Sequence, residues 1–123
     1  YVCNFGEASV VEIKRDQNGK AISQRILAKG HGMKSTDGLR IHPDTGDLYV
    51  ADFLGNAVHK IAPKTGEVTT IAKNGNTSGA VGKLDRPSEV SIRDNKVYVS
   101  NIDLALEGNE FDKPYTVSVI DLD

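Results

Sequence analysis

Residues 36–53 read TDGLRIHPDTGDLYVADF, and the fold is decided in this stretch. It holds two short runs of strand-forming residues, 38–42 and 48–52, joined through Pro43-Asp44-Thr45-Gly46. Proline presets one backbone angle and glycine supplies the positive φ of a tight reversal, so the two runs are predicted to pair as an antiparallel hairpin. In the second run Leu48 and Val50 fall on one face, Tyr49 and Ala51 on the other. A strand that is apolar or small on both faces fits a sheet with another sheet packed on each side. Downstream, 57–62 and 67–73 are two further runs, separated by Pro63-Lys64-Thr65-Gly66 with the same turn chemistry. No segment carries a sustained helical stripe. The unit is a meander of four strands, A to D.

The unit recurs. Tyr1-Val2-Cys3-Asn4-Phe5, Tyr49-Val50-Ala51-Asp52-Phe53 and Tyr98-Val99-Ser100-Asn101-Ile102 line up at a spacing of about 48 residues. Val10-Val11-Glu12-Ile13 matches Val58-His59-Lys60-Ile61 at the same spacing, and Gly38-Leu39-Arg40-Ile41 parallels Glu89-Val90-Ser91-Ile92. The third copy of the C run, Val117-Ser118-Val119-Ile120, arrives late because residues 105–114 are inserted. Four antiparallel strands per unit at this period is the signature of β-propeller blades, an all-β class. In order the chain reads B-C-D, A-B-C-D, A-B-C, with blade parts at 1–30, 37–73 and 88–123. The expectation is one partial propeller domain over 1–123, about two and a half blades of a ring of about six.

Composition narrows the partners. Fifteen basic against 17 acidic side chains leave a net charge of −2, which gives no electrostatic reason to expect nucleic acid or an anionic membrane. The apolar runs are a few residues long, so none is predicted to span a bilayer. A soluble setting is expected, secreted or periplasmic in preference to cytoplasmic, while the compartment itself is not read from these residues. Cys3 is the sole cysteine, which excludes an internal disulfide.

Two segments, TDGLRIHPDTGDLYVADF and GKLDRPSEVSIRDNKVYVSN (82–101), resemble the six-bladed propellers of the senescence-marker protein/gluconolactonase family and the related NHL-repeat proteins. The resemblance implies a divalent cation, Ca²⁺ in kind, in a central channel. Its ligands in that family are Asp, Asn or Glu side chains at the start of innermost strands. Asp37 falls on such a position. The next blade has Ser88 where a ligating Asn would stand and Glu89 where a supporting Asp would stand. Serine is a poorer ligand for a hard cation than a carboxylate or amide oxygen.

Strand direction sorts the remaining candidates without reference to any family. In an antiparallel meander the start of A and the end of B share one end of the blade. Asp37, Ser88, Glu89, Asn4, Asp52, Asn101, the crossovers 30–36 and 74–87, and the insertion 102–114 therefore share one ring face. On that face Asn4, Asp52, Asn101 and His31 are candidate ligand-binding residues, although Asp and Asn at strand ends also brace turns. Glu89 has Arg86 and Arg93 nearby in sequence as alternative ion-pair partners. His42 is expected on the opposite face and His59 inside a strand, both structural. Residues 104–114 are expected to cap the site face. Asp16-Gln17-Asn18-Gly19 opens like a calcium loop but lacks the closing glutamate, so it reads as a hairpin turn.

Two functions remain open. One is a metal-dependent hydrolase, lactonase- or esterase-like, acting on a small molecule. The other is a non-catalytic propeller that binds a protein or small ligand on its ring face. In either case blades need neighbours, so the remaining blades of a longer propeller, or another chain, are the expected partners.

Overall fold

The computed structural model describes residues 1–105, 109, 111 and 113–122. Three antiparallel sheets follow one another along the chain. The first comprises β1 (Val2–Asn4), β2 (Ser9–Arg15) and β3 (Ala21–Lys29). The second comprises β4 (Thr36–Ile41), β5 (Leu48–Asp52), β6 (Ala57–Ile61) and β7 (Val68–Lys73). The third comprises β8 (Pro87–Arg93), β9 (Lys96–Asn101) and β10 (Val117–Asp121). Each sheet is a simple meander, in the orders β1-β2-β3, β4-β5-β6-β7 and β10-β9-β8. The fold is all-β, and the strands run B-C-D, A-B-C-D, A-B-C.

The middle sheet is buried on both faces, as the alternation in β5 requires. Leu48 and Val50 join Val10, Leu27, Met33 and Ile61 in one core, between the first and second sheets. Tyr49 and Ala51 join Val58, Leu84, Val90, Val97 and Val99 in the other, between the second and third. All five residues of β5 are buried. Full burial of a Val or Leu side chain contributes about 1.5–3 kcal/mol, so β5 alone anchors both interfaces.

The turns follow their residues. Asp16 Oδ1 accepts from the amides of Asn18 and Lys20, each at 2.9 Å, and Gly19 takes φ 83°, so 16–19 is a hairpin turn. His42 is buried, and its Nδ1 accepts from the amides of Asp44 (3.2 Å) and Thr45 (3.4 Å). It holds the β4–β5 turn.

The two innermost strands, β4 and β8, each bulge at their start. Thr36 faces Asp52 and Leu39 faces Val50, so Asp37 and Gly38 share one position opposite β5. Pro87 faces Asn101 and Glu89 faces Ser100, so Ser88 is the extra residue opposite β9. A bulge re-aims the side chains beside it. Among the described residues no helix is long and apolar enough to cross a membrane. Of the inserted segment, Leu106, Glu107, Glu110 and Asp112 lie outside the described residues. At its base, Asn109 Nδ2 donates to Asp103 Oδ1 at 2.8 Å and to the Leu104 carbonyl at 3.1 Å.

Candidate functional site

The bulges bring Asp37 and Glu89 together. Glu89 lies directly on Gly38: a Cβ there would stand 2.6 Å from the Glu89 Cα. The missing side chain lets β4 and β8 approach and sets the Glu89 carboxylate beside Asp37. Burial raises the Asp37 pKa, and the Glu89 charge raises it further. Both carboxylates are exposed, and neither has an ion-pair partner among the described residues. The expected alternatives for Glu89 are taken elsewhere. Arg93 pairs with Asp94 at 3.2 Å, and the Arg86 guanidinium sits 5.7 Å over the Phe53 ring. Four other acids are compensated: Glu7 by Lys29, Glu12 by Arg25, Asp47 by Lys60 and Asp121 by Lys96.

Cys3, on β1, completes this neighbourhood. Its thiol is pushed up to about 11, chiefly by burial and further by the charges of Asp37 and Glu89, against a hydrogen bond with Thr36 that lowers it. At neutral pH it is a thiol, a poor ligand for a hard cation and a poor nucleophile. Strand alternation was the signal for it, since Cys3 occupies the place of Ala51 and Ser100 in the repeat.

The other expected site residues lie on the same end of the blades but are not gathered at the pair. Ser88 Oγ is 3.2 Å from Ser100 Oγ and 3.4 Å from the Ser100 carbonyl, an interstrand clasp. Asn4 Oδ1 accepts from the Glu7 amide at 3.3 Å and caps a 3₁₀ turn. His31 is exposed in the turn Gly30-His31-Gly32, with φ 53°. Asp52 is fully buried. One of its oxygens accepts from the Ser35 amide (2.8 Å), the Ser35 hydroxyl (3.2 Å) and the Gly55 amide (2.9 Å). The other accepts from the Lys34 amide (2.9 Å) and His59 Nε2 (3.0 Å). A carboxylate only accepts, so Nε2 donates to it, and His59 Nδ1 shares a hydrogen bond with the Thr70 hydroxyl at 3.0 Å.

Asp52, His59 and Thr70 have the composition of a hydrolytic triad, but Asp52 and His59 are wholly buried and tie strands β5, β6 and β7 together. The arrangement is a brace. It repeats in the third sheet, where Asn101 Oδ1 accepts from the Asp85 amide (3.0 Å) and Nδ2 donates to Ser118 (2.8 Å) and Thr116 (3.0 Å).

The donor set at the pair fits a hard divalent cation in kind, being two adjacent carboxylates that repel each other. It is short in number, because such ions take about six to eight oxygens. Among the described residues no three His, Cys, Asp or Glu side chains gather as a group able to hold a metal ion.

The fold is similar to a solved structure of luciferin-regenerating enzyme, with a TM-score of 0.74 and 22% sequence identity, over 96% of this chain and 39% of that one. The chain is built of β-propeller blades. It therefore spans well under half the length of that neighbour. No family model matches the chain, and no curated protein matches it. The expected membership of the senescence-marker protein/gluconolactonase family is corrected by these findings: what they support is a propeller-like neighbour at low identity. The physical reason lies in the motifs that carried the resemblance. DGL, YVAD and their repeats encode a bulged inner strand, a two-faced strand and the Asp52 brace, which build a blade whatever the propeller does.

Proposed function

We propose that this chain supplies part of the channel site of a β-propeller hydrolase that acts on a small lactone or ester, with Asp37 and Glu89 holding a divalent cation. One observation carries the reading. Two carboxylates stand side by side on the innermost strands, one raising the other's pKa, without a basic side chain to compensate them among the described residues. Such a repulsion destabilises the fold unless a cation relieves it. When bound, the cation polarises a carbonyl and acidifies a water. Asp37 and Glu89 would hold it, and the Asp52 and Asn101 braces fix the ends of the neighbouring strands. Luciferin-regenerating enzyme, by its name an enzyme acting on a small molecule, is in keeping with small-molecule chemistry on this fold.

The reading is tested by following hydrolysis of a δ-lactone and an aryl ester with added calcium and with a chelator. Calcium-dependent turnover that falls at least about tenfold in Glu89→Gln supports it. Turnover indifferent to chelation and to that substitution contradicts it. A non-catalytic ligand-binding propeller is the second reading, favoured by the Ser88–Ser100 clasp, which takes a potential third oxygen away from the pair.

A further inference from the structure

The same ring face carries a cavity of about 420 Å³ that neither carboxylate lines. Its wall is assembled from four segments by the blade topology. Lys34 comes from the crossover before β4, Gly55 from the β5–β6 turn and Lys73 from the end of β7. Gly75 and Asn76 continue that segment into the next crossover, and Arg86 comes from just before β8. No acidic side chain is among the described lining residues.

Three cationic side chains thus share one cavity. Lys34 and Lys73 are exposed and have no ion-pair partner among the described residues. Arg86 is held rigidly: its guanidinium lies over Phe53, and Nη1 only reaches the carbonyls of Leu54 at 3.4 Å and Phe53 at 3.5 Å. Its Nε is buried with no hydrogen-bond partner. A buried guanidinium donor left unpaired is costly. The carboxylate beneath Gly55 is Asp52, whose oxygens already accept from five donors. It does not neutralise the cavity through contact with these cations.

We propose that this cavity binds the phosphate group of a small phosphate monoester. One arginine and two lysines lining one space, with no acid among the described lining residues, suit a dianion. A volume within the usual range of small-molecule pockets leaves room for the organic part beside the phosphate. The site is independent of the hydrolase reading, since Asp37 and Glu89 lie outside it.

The test is an NMR titration of the full chain with glycerol phosphate and with inorganic phosphate, each at constant ionic strength against a chloride control. Saturable shifts of the Gly55, Gly75 and Asn76 amides are expected, tighter with glycerol phosphate. The Lys34→Gln/Lys73→Gln double variant should bind at least about tenfold more weakly. Both lysines are exposed, so the double variant should keep its fold, which its unperturbed core resonances would verify. Shifts no different from those with chloride, or equal affinity in the double variant, would overturn the proposal. Equal affinity for the two phosphates would overturn the monoester assignment.

Discussion

Asp52 shows how one buried side chain decides between stability and chemistry. Burial alone would raise its pKa, but the hydrogen bond from His59 and the amides of Lys34, Gly55 and Ser35 outweigh that and hold the carboxyl below its usual range. A depressed folded pKa contributes stability that is fully present above the unfolded value of about 3.9 and is lost as pH falls through the folded one. Asp52→Asn places an amide NH₂ against donors that need an acceptor, and should cost about 2–4 kcal/mol at pH 7. Urea denaturation at pH 7 and pH 3 measures this: the variant's deficit should shrink at the lower pH. A deficit equal at both would show that the charge is not what the brace uses. The sequence placed Asp52 at a strand end, which is where it lies. That its oxygens were already engaged was not legible, because three of the five donors come from residues 34 and 35, distant along the chain. Strand alternation set the face of Cys3, but the groups around it, Thr36, Asp37 and Glu89, come from β4 and β8 and were not legible there.

At the scale of the strand, local chemistry was a sufficient guide to the middle sheet. The run 48–52 is β5 residue for residue, and the Pro–Gly turns separate the strands at the expected places. The two faces of β5 pack as their alternation demands. The bulges in β4 and β8 were not legible, because a two-against-one pairing depends on where the partner strand is pinned. Gly38 read as the first residue of a strand; its structural use is the close approach of Glu89. Gly38→Ala drives a Cβ toward the backbone of β8, which cannot yield as a flexible side chain would. The expected cost is about 1–3 kcal/mol, read by thermal denaturation. Gly6→Ala is the control, since an added Cβ there meets nothing within 4 Å. Equal effects of the two substitutions would mean the β4–β8 contact is not tight.

Over the whole molecule, the two cores are enclosed while the outer sheets are open. Ile22 (65% exposed) and Ile26 (60%) on β3 and Val117 (61%) on β10 present apolar surface. β1 and β10 are edge strands of three-stranded sheets. Unpaired edges and apolar faces invite another chain or further blades. The 123 residues in isolation should therefore associate, giving light-scattering masses above the 13.3 kDa of one chain. A monodisperse monomer with a cooperative melt would contradict that. The stacking also creates the Asp37–Glu89 pair, which takes one residue from each of two adjoining sheets and so exists only when they pack. That the pair binds a divalent cation is the central claim, and calorimetric titration of the chain with Ca²⁺ at pH 7 tests it most directly. With two protein carboxylates the account predicts weak binding, a dissociation constant of about 10⁻⁴–10⁻³ M, lost in both Asp37→Asn and Glu89→Gln. Absence of binding in the unaltered chain, or binding that survives either substitution, would contradict it.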